Sequence, residues 1–223
     1  MEYLDNILFT ILLCAGIFLF VKNIRKIRRN ILLGRDVDLS DNKSSRWKTM
    51  FHVALGQSKM VSRPLPAILH IFVYVGFIII NIEVIEILID GVSGTHRVLS
   101  FLGPLYTFLI ATFEILAVLV FLGCAIFLLR RNIAKLKRFM SKDLDGWPRS
   151  DANYILITEI LLMTAFLLMN AIDQNLQAAG YDHYKNISAS AFPVSGLLQS
   201  AFNGIHPDTL VFIERFLWWF HIV

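Results

Sequence analysis

The sequence has few cysteines and few charged side chains. Its 223 residues include two cysteines, Cys14 and Cys124, and each lies inside an apolar run. Neither has the C-x-x-C spacing of a metal or redox site, so we predict no disulfide framework and interpret both as small buried hydrophobic residues. Charged residues make up 17% of the chain, against about 25% in a typical soluble domain. This composition argues against a soluble protein with a fully charged surface.

Long apolar segments account for the low proportion of charged residues. Hydrophobic residues make up 56% of the chain, and its mean hydropathy is +0.62. A membrane-spanning helix needs about 20 mainly apolar residues. Four segments approach or exceed that length, 3–21, 65–89, 101–129 and 153–171, and a fifth begins near residue 209 and has only 15 residues. We therefore predict an all-α integral membrane bundle of five transmembrane helices with a truncated fifth helix, in one domain over residues 1–223.

The distribution of Lys and Arg predicts the topology. The connection at 22–63 holds eleven of them and the connection at 130–149 holds seven, whereas the other two hold only Arg97 and Lys185. Because basic connections stay in the cytoplasm, the N-terminus is predicted outside, residues 174–206 form an outer loop, and the fifth helix runs inward. The net charge of +4 is therefore a feature of membrane insertion, and a nucleic-acid partner is not indicated.

Histidines lie at membrane depth in two of the predicted helices. His70 is about five residues into the second helix and His221 about 18 Å along the fifth, so both reach the cytoplasmic half at similar depth. Two imidazoles at one level on antiparallel helices can bind a haem iron from both sides. A metal-free pair that only hydrogen-bonds between helices is the alternative. Further candidate ligands for a second haem, none at comparable depth, are His52, His96, His183 and His206.

Carboxylates also lie within or at the ends of the predicted helices, where an ionised group must be paired or neutral. Glu83 and Glu86 are three residues apart, so they share one face near the predicted outer end of the second helix. Glu114 lies mid-span in the third helix, and Glu214 shares a face with His221 seven residues later. Each carboxylate either accepts protons at a membrane face or makes hydrogen bonds between helices.

Two stretches resemble a known family of membrane proteins. The run "LGQSKMVSRPLPAILHIFVYVGF" at 55–77 resembles the second-helix signature of membrane cytochromes b of the respiratory nitrate reductase gamma-subunit type. The closest likeness is to the version joined to heterodisulfide-reductase-like iron–sulfur proteins. "WWFH" at 218–221 looks like the fifth-helix histidine of that family. The matching residues are Gly56, Gln57, Pro66, His70, Gly76, Phe77 and His221.

The resemblance implies a set of functional expectations. His70 and His221 would be the axial ligands of a haem b held between the second and fifth helices. The haem would exchange electrons with menaquinone or ubiquinone in a bacterial cytoplasmic (inner) membrane. An iron–sulfur protein in the cytoplasm, or a module following in the same polypeptide, would be the partner and would carry the clusters. Two-haem members of the family have two ligand histidines on each helix, whereas the second helix here offers only His70 at suitable depth, so one haem is supported.

These observations predict a membrane domain that passes electrons between the quinone pool and a cytoplasmic iron–sulfur oxidoreductase. Glu83, Glu86 and Glu214 are then candidates for the protons released or taken up with quinone. One alternative is a haem-free membrane anchor for a soluble redox enzyme. A second is a small proton-coupled transporter with Glu114 at its substrate or proton site, although the sequence shows no internal repeat.

Overall fold

The structure is a computed structural model that describes residues 4–38, 40–58, 60, 63–136, 139–184 and 188–222. Its regular elements in this part of the chain are all helices: α1 (Leu4–Leu32), α2 (Lys43–Met50), a π-helix that continues α2 (Phe51–Leu55), α3 (Pro64–Ser93), α4 (Pro104–Asn132), α5 (Trp147–Ala178), α6 (Ser195–Leu198) and α7 (Pro207–Ile222). Short 3-10 segments occur at Val98–Leu102, Lys142–Leu144, Asp182–Tyr184, Ala189–Ala191 and Gln199–Phe202.

Four of these helices are long and apolar enough to cross a membrane. They are α1, α3, α4 and α5, of 29, 30, 29 and 32 residues. The prediction of an all-helical fold is confirmed for the described residues, and four of the five predicted spans are found as long apolar helices. The fifth span stays a prediction: α7 lies where it was expected, but it has 16 residues and rises only about 24 Å. The orientation of the N-terminus stays a prediction, and four of the basic residues behind it lie outside the described residues: Lys59, Lys137, Arg138 and Lys185.

Proline and glycine set where the long helices begin and end. α3, α4 and α5 each carry a proline in the first turn, where its missing N–H costs no intrahelical bond. α3 ends before Gly94, whose φ of 75° is left-handed and suits glycine. The apolar segment 101–129 is divided, because Gly103 has a φ of 57° and separates the 3-10 turn Val98–Leu102 from α4.

The chain forms two compact units, and the first comprises Met1–Ala67 with Ile87–Thr95. Within it Phe9 is 1% exposed and packs on Gly91, where an added Cβ would lie 2.5 Å from a Phe9 ring carbon. Asn6 Nδ2 donates a 2.9 Å hydrogen bond to the Gly91 carbonyl. Only 6% of the most apolar stretch of α1 is buried, a surface suited to contact with lipid acyl chains.

The second unit comprises Ile68–Glu86 with His96–Val223. α4 packs on α5, and α5 packs on α7. The core is apolar and includes Ile80, Ile110, Phe113, Ala117, Val120, Met163 and Phe166. Small residues bring α3 close to α4, because a Cβ at Gly76 would overlap the Val120 side chain, and one at Gly123 would meet Val73 at 3.2 Å.

The connection between α5 and α7 enters the core of the second unit. Ala191 and Phe192 are 0% and 2% exposed and join the hydrophobic cluster formed by α4 and α5. Ser195, at the start of α6, is also fully buried. Non-helical backbone at this depth is stable only where protein groups satisfy its N–H donors. The site described next shows which side chain does so.

Candidate functional site

Buried polar side chains are concentrated at one end of the second unit, where the connections 96–103 and 179–206 lie; we call this the loop end. α5 ends here, and α4 and α7 begin here. The charge pattern predicts that the loop end faces outside. Its buried polar residues are Glu83, Glu86, Arg97, Glu114, Asn170, Asp173, Gln174, Ser195 and Glu214.

Arg97 lies at the centre of this group and is 8% exposed. Its Nε donates to Asp173 Oδ2 at 2.7 Å, and its Nη2 donates to Asn170 Oδ1 at 2.7 Å. Glu83 Oε1 is 3.9 Å from Nη1 of the same guanidinium. Burial alone would lower the pKa of Arg97, but Asp173, Tyr106 and Glu83 together outweigh it and hold the pKa well above its usual value. The charge is therefore fixed, and the carboxylates are arranged around it.

Glu86 connects the cluster to the short connection before α4. It is 2% exposed, and its two oxygens accept from different donors. The Leu99 backbone N–H donates to Oε1 at 2.7 Å, and the Tyr106 hydroxyl donates to Oε2 at 2.8 Å. The same hydroxyl lies 3.4 Å from Nη1 of Arg97. Glu83 and Glu86 were predicted to share a helix face. Glu83 lies beside Arg97, and Glu86 is linked to Arg97 through the Tyr106 hydroxyl.

Glu114 is fully buried, with 0% of its surface exposed. Its Oε2 accepts from the backbone N–H groups of Val194 and Ser195, at 2.8 and 3.1 Å. Its Oε1 accepts from Asn170 Nδ2 at 3.0 Å and from the Ser195 hydroxyl. The sequence required this mid-helix carboxylate to be paired or neutral, and the structure pairs it with four donors. Glu114 therefore anchors the connection that enters the core.

Glu214 forms a second buried site in the middle of α7. It is 2% exposed and accepts from the Tyr184 hydroxyl at 2.9 Å and from Arg215 Nε at 2.7 Å. The Arg215 guanidinium lies 5.0 Å from the centre of the Trp218 ring. Burial, followed by the Glu214 carboxylate, raises the pKa of Tyr184, so its hydroxyl stays a donor.

Two histidines connect the buried charges to the surface. His96 Nε2 is 3.3 Å from Asp173 Oδ2, and its ring centre lies 5.3 Å from that of the exposed His183. The Tyr184 ring packs edge-on against His96 at 4.9 Å. Partial burial, followed by the neighbouring His96, lowers the pKa of His183, so His183 gives up a proton more readily than a free histidine does. His96, predicted only as a candidate for a second haem, is placed beside a carboxylate.

The two predicted haem ligands are both partly buried in the second unit. The His70 ring on α3 lies 6.4 Å from the Tyr74 ring one turn away, nearly parallel to it at 14°. The His221 ring on α7 hydrogen-bonds to the backbone of Leu162 on α5. Nε2 of His70 and Nδ1 of His221 are buried and make no hydrogen bond to the described residues. An axial haem ligand presents such a nitrogen, so both residues fit the group, and their role as ligands stays a prediction.

The other two candidate histidines lie in more exposed positions. His52 lies on the π-helix Phe51–Leu55 and is exposed, and α3 begins separately at Pro64. The His206 side chain is 73% exposed, with Nδ1 3.5 Å from Asp208 Oδ2. Across the described residues, no group of three or more His, Cys, Asp or Glu side chains is placed to hold a metal ion. A haem with two axial ligands does not need such a group.

Several residues of the loop end were not among the predicted site residues, among them Arg97, Asp173 and Tyr184. Arg97 entered the sequence argument only as a loop charge, although it is one of two basic residues in the predicted outer connections. Asp173 follows Asn170 by three residues at the end of an apolar helix, a spacing that puts both on one face. Tyr184 has no signal in the sequence, because its partner Glu214 lies 30 residues away.

The helices and the site define the class of protein. In its described residues the chain is helical, with four helices of membrane length and a buried group of charged side chains at the loop end. It is 22% identical over 232 residues to the EtfAB:quinone oxidoreductase of Syntrophomonas wolfei, covering 99% of this chain and 30% of that protein. It is 25% identical over 219 residues to the probable iron-sulfur-binding oxidoreductase FadF of Bacillus subtilis, covering 98% of this chain and 29% of that protein. The chain thus spans about 30% of the length of these curated relatives. No family model and no solved structure matches it.

Proposed function

We propose that this chain is a membrane b-type cytochrome domain that transfers electrons between the quinone pool and an iron–sulfur oxidoreductase in the cytoplasm. The observation that carries the proposal is the match of nearly the whole chain to under a third of two proteins named for quinone and iron–sulfur redox activity. Two cysteines cannot supply the four thiolates of a typical cluster. The clusters therefore belong to a separate partner or to a further module of the same polypeptide.

His70 and His221 are the proposed haem ligands. Each keeps one buried ring nitrogen without a hydrogen bond to the described residues, and such a nitrogen is costly unless it gains a partner. A bound haem b would supply a one-electron carrier inside a low-dielectric bundle. The hydrogen bond from His221 to the Leu162 backbone would orient the ring and set which nitrogen faces the iron.

The loop end is the proposed site of the protons exchanged with quinone. The buried group contains three carboxylates, Glu83, Glu86 and Asp173, and two groups that can be positive, Arg97 and His96. Two positive charges balance at most two ionised carboxylates. Because like charges cannot all ionise in a buried site, this group holds at least one proton. The proton passes between Asp173 and His96 and reaches the surface at His183. Tyr184, which donates to Glu214, packs against the His96 ring beside this path.

A difference spectrum tests the cytochrome proposal. Purified protein should show the reduced-minus-oxidised bands of low-spin haem b, and His70→Ala or His221→Ala should abolish them. His206→Ala is the matched control, because that side chain is 73% exposed and should leave the spectrum unchanged. A folded, colourless wild-type preparation would remove the cytochrome proposal and leave a haem-free membrane anchor. The transporter alternative gains no support from Glu114. Its carboxylate already accepts four hydrogen bonds that hold a connection in place, so it is not open to a substrate.

A further inference from the structure

An exposed apolar stripe runs along the helical stretch 43–55 of the first unit. Trp47, Phe51 and Leu55 are 58%, 54% and 51% exposed. A spacing of four residues keeps them on one side of α2 and of the π-helix that continues it. The Trp47 and Phe51 rings stack with their centres 5.8 Å apart. The stretch therefore presents a continuous aromatic and aliphatic surface to its surroundings.

Positive charge flanks this stripe. Lys43 lies one turn before Trp47, and Arg46 and Lys48 lie on either side of it. The stretch 22–55 contains nine Lys and Arg against three Asp. Five of these cations are on the last turns of α1: Lys22, Arg25, Lys26, Arg28 and Arg29. An apolar stripe bordered by cations matches a surface that is apolar inside and anionic outside.

The chain itself holds the stretch near a membrane surface. Ten residues separate it from the end of α1, and eight separate it from the start of α3. Both of these helices have the length and hydropathy of membrane spans. Connections of that size reach at most about 35 Å and 29 Å when fully extended. The stretch therefore cannot move far from the interface where α1 and α3 leave the bilayer.

We propose that residues 43–55 form an amphipathic anchor that lies on the membrane and binds the anionic headgroups of phospholipids. Trp47, Phe51 and Leu55 enter the boundary between headgroups and acyl chains, the depth that Trp prefers. Lys43 and Lys48 extend their ammonium groups to the lipid phosphates. Each basic residue near an anionic surface strengthens binding about fivefold. Loss of two lysines should therefore weaken the bound state about 25-fold.

Tryptophan fluorescence of the whole chain in liposomes tests the anchor. The spectrum of Trp47→Phe is subtracted from that of the wild type, which isolates Trp47 from Trp147, Trp218 and Trp219. In phosphatidylglycerol liposomes brominated near the headgroup, the Trp47 signal should be blue-shifted and quenched. It should be much less quenched in brominated phosphatidylcholine. The double variant Lys43→Gln with Lys48→Gln is made in the wild type and in Trp47→Phe, so that the same subtraction applies. It should reduce bromine quenching of Trp47 in phosphatidylglycerol to the level seen in phosphatidylcholine.

A matched pair of lysines and three outcomes decide the question. Lys135→Gln with Lys142→Gln, in the other basic connection, should leave the Trp47 signal unchanged. Equal quenching by aqueous acrylamide in both lipids would overturn the proposal, because Trp47 would then be in water. Protection from acrylamide without quenching by bromine would also overturn it and assign the stripe to a protein surface. Equal bromine quenching in both lipids would overturn the role of anionic headgroups.

Discussion

Replacing Glu114 tests whether one buried carboxylate holds the connection 179–206 in the core. Glu114→Ala removes the acceptor of four hydrogen bonds, from Asn170, Val194 and twice from Ser195. Each buried donor left without a partner costs about 1–3 kcal/mol. Four donors therefore cost at least about 4 kcal/mol, which lowers the unfolding temperature of a chain of this size by about 8–16 °C. Glu114→Gln should cost about half as much, because its amide NH2 group cannot accept from the two donors that it faces.

The buried thiol of Cys124 reports the unfolding. It is 1% exposed on α4, whereas Cys14 is exposed, so the variants are made in a Cys14→Ser background. A thiol-reactive dye should label Cys124 only when the second unit opens, and the labelling midpoint in detergent gives the unfolding temperature. Asp151→Asn is the matched control, because this carboxylate on α5 is exposed and makes no hydrogen bond within the described residues. A Glu114→Ala midpoint within about 3 °C of the wild type would refute the anchoring role.

Two further predictions follow from the charges at the loop end. Arg97→Gln should destabilise the chain by about 3–5 kcal/mol by leaving Asp173 buried and unpaired, and Arg97→Met with Asp173→Leu should recover part of that loss. Thermal unfolding checks both, with Arg46→Gln as the control, since its pair with Asp41 is exposed and is worth at most about 1 kcal/mol. His183 has a lowered pKa in the folded state, because burial, His96 and Arg215 disfavour its charged form more than Glu214 and Asp173 favour it. The unfolded chain therefore binds this proton first, and stability should fall as the pH drops below about 6.5; unfolding temperatures measured between pH 7 and 5 should fall less for His183→Asn.

The long helices could be predicted from the sequence because their signal is local. A run of apolar residues of membrane length with a proline in its first turn defines α3 and α4 without knowledge of any partner. Glu83 and Glu86 were predicted to share a face for the same reason, since the spacing of three is fixed by the helix. The boundary at Gly103 was missed, because a positive φ interrupts a run that stays apolar on both sides.

The contents of the loop end could not be predicted, because they depend on pairs far apart in the chain. Arg97 meets Asp173 across 76 residues, and Glu114 meets Ser195 across 81. Hydropathy treats residues 179–206 as a polar connection, yet Phe192 is buried. Phe192 can be buried because Glu114 accepts hydrogen bonds from the backbone N–H groups that follow it. Neither the sequence around Glu114 nor that around Phe192 indicates this pairing.

The number of partners on each carboxylate separates anchoring from proton transfer. Glu86 and Glu114 accept from two and four donors, so protonating either one would break hydrogen bonds that hold connections in place. Asp173 is different, because its Oδ2 faces Arg97 and His96 while its buried Oδ1 has no hydrogen-bond partner among the described residues. A proton that binds Oδ1 displaces no donor, but it weakens the pairing of Oδ2 with Arg97, so the carboxylate holds a proton only in passing. The proposed proton path therefore runs through Asp173 and His96 rather than through Glu86, one of the three candidates, Glu83, Glu86 and Glu214, that the sequence predicted.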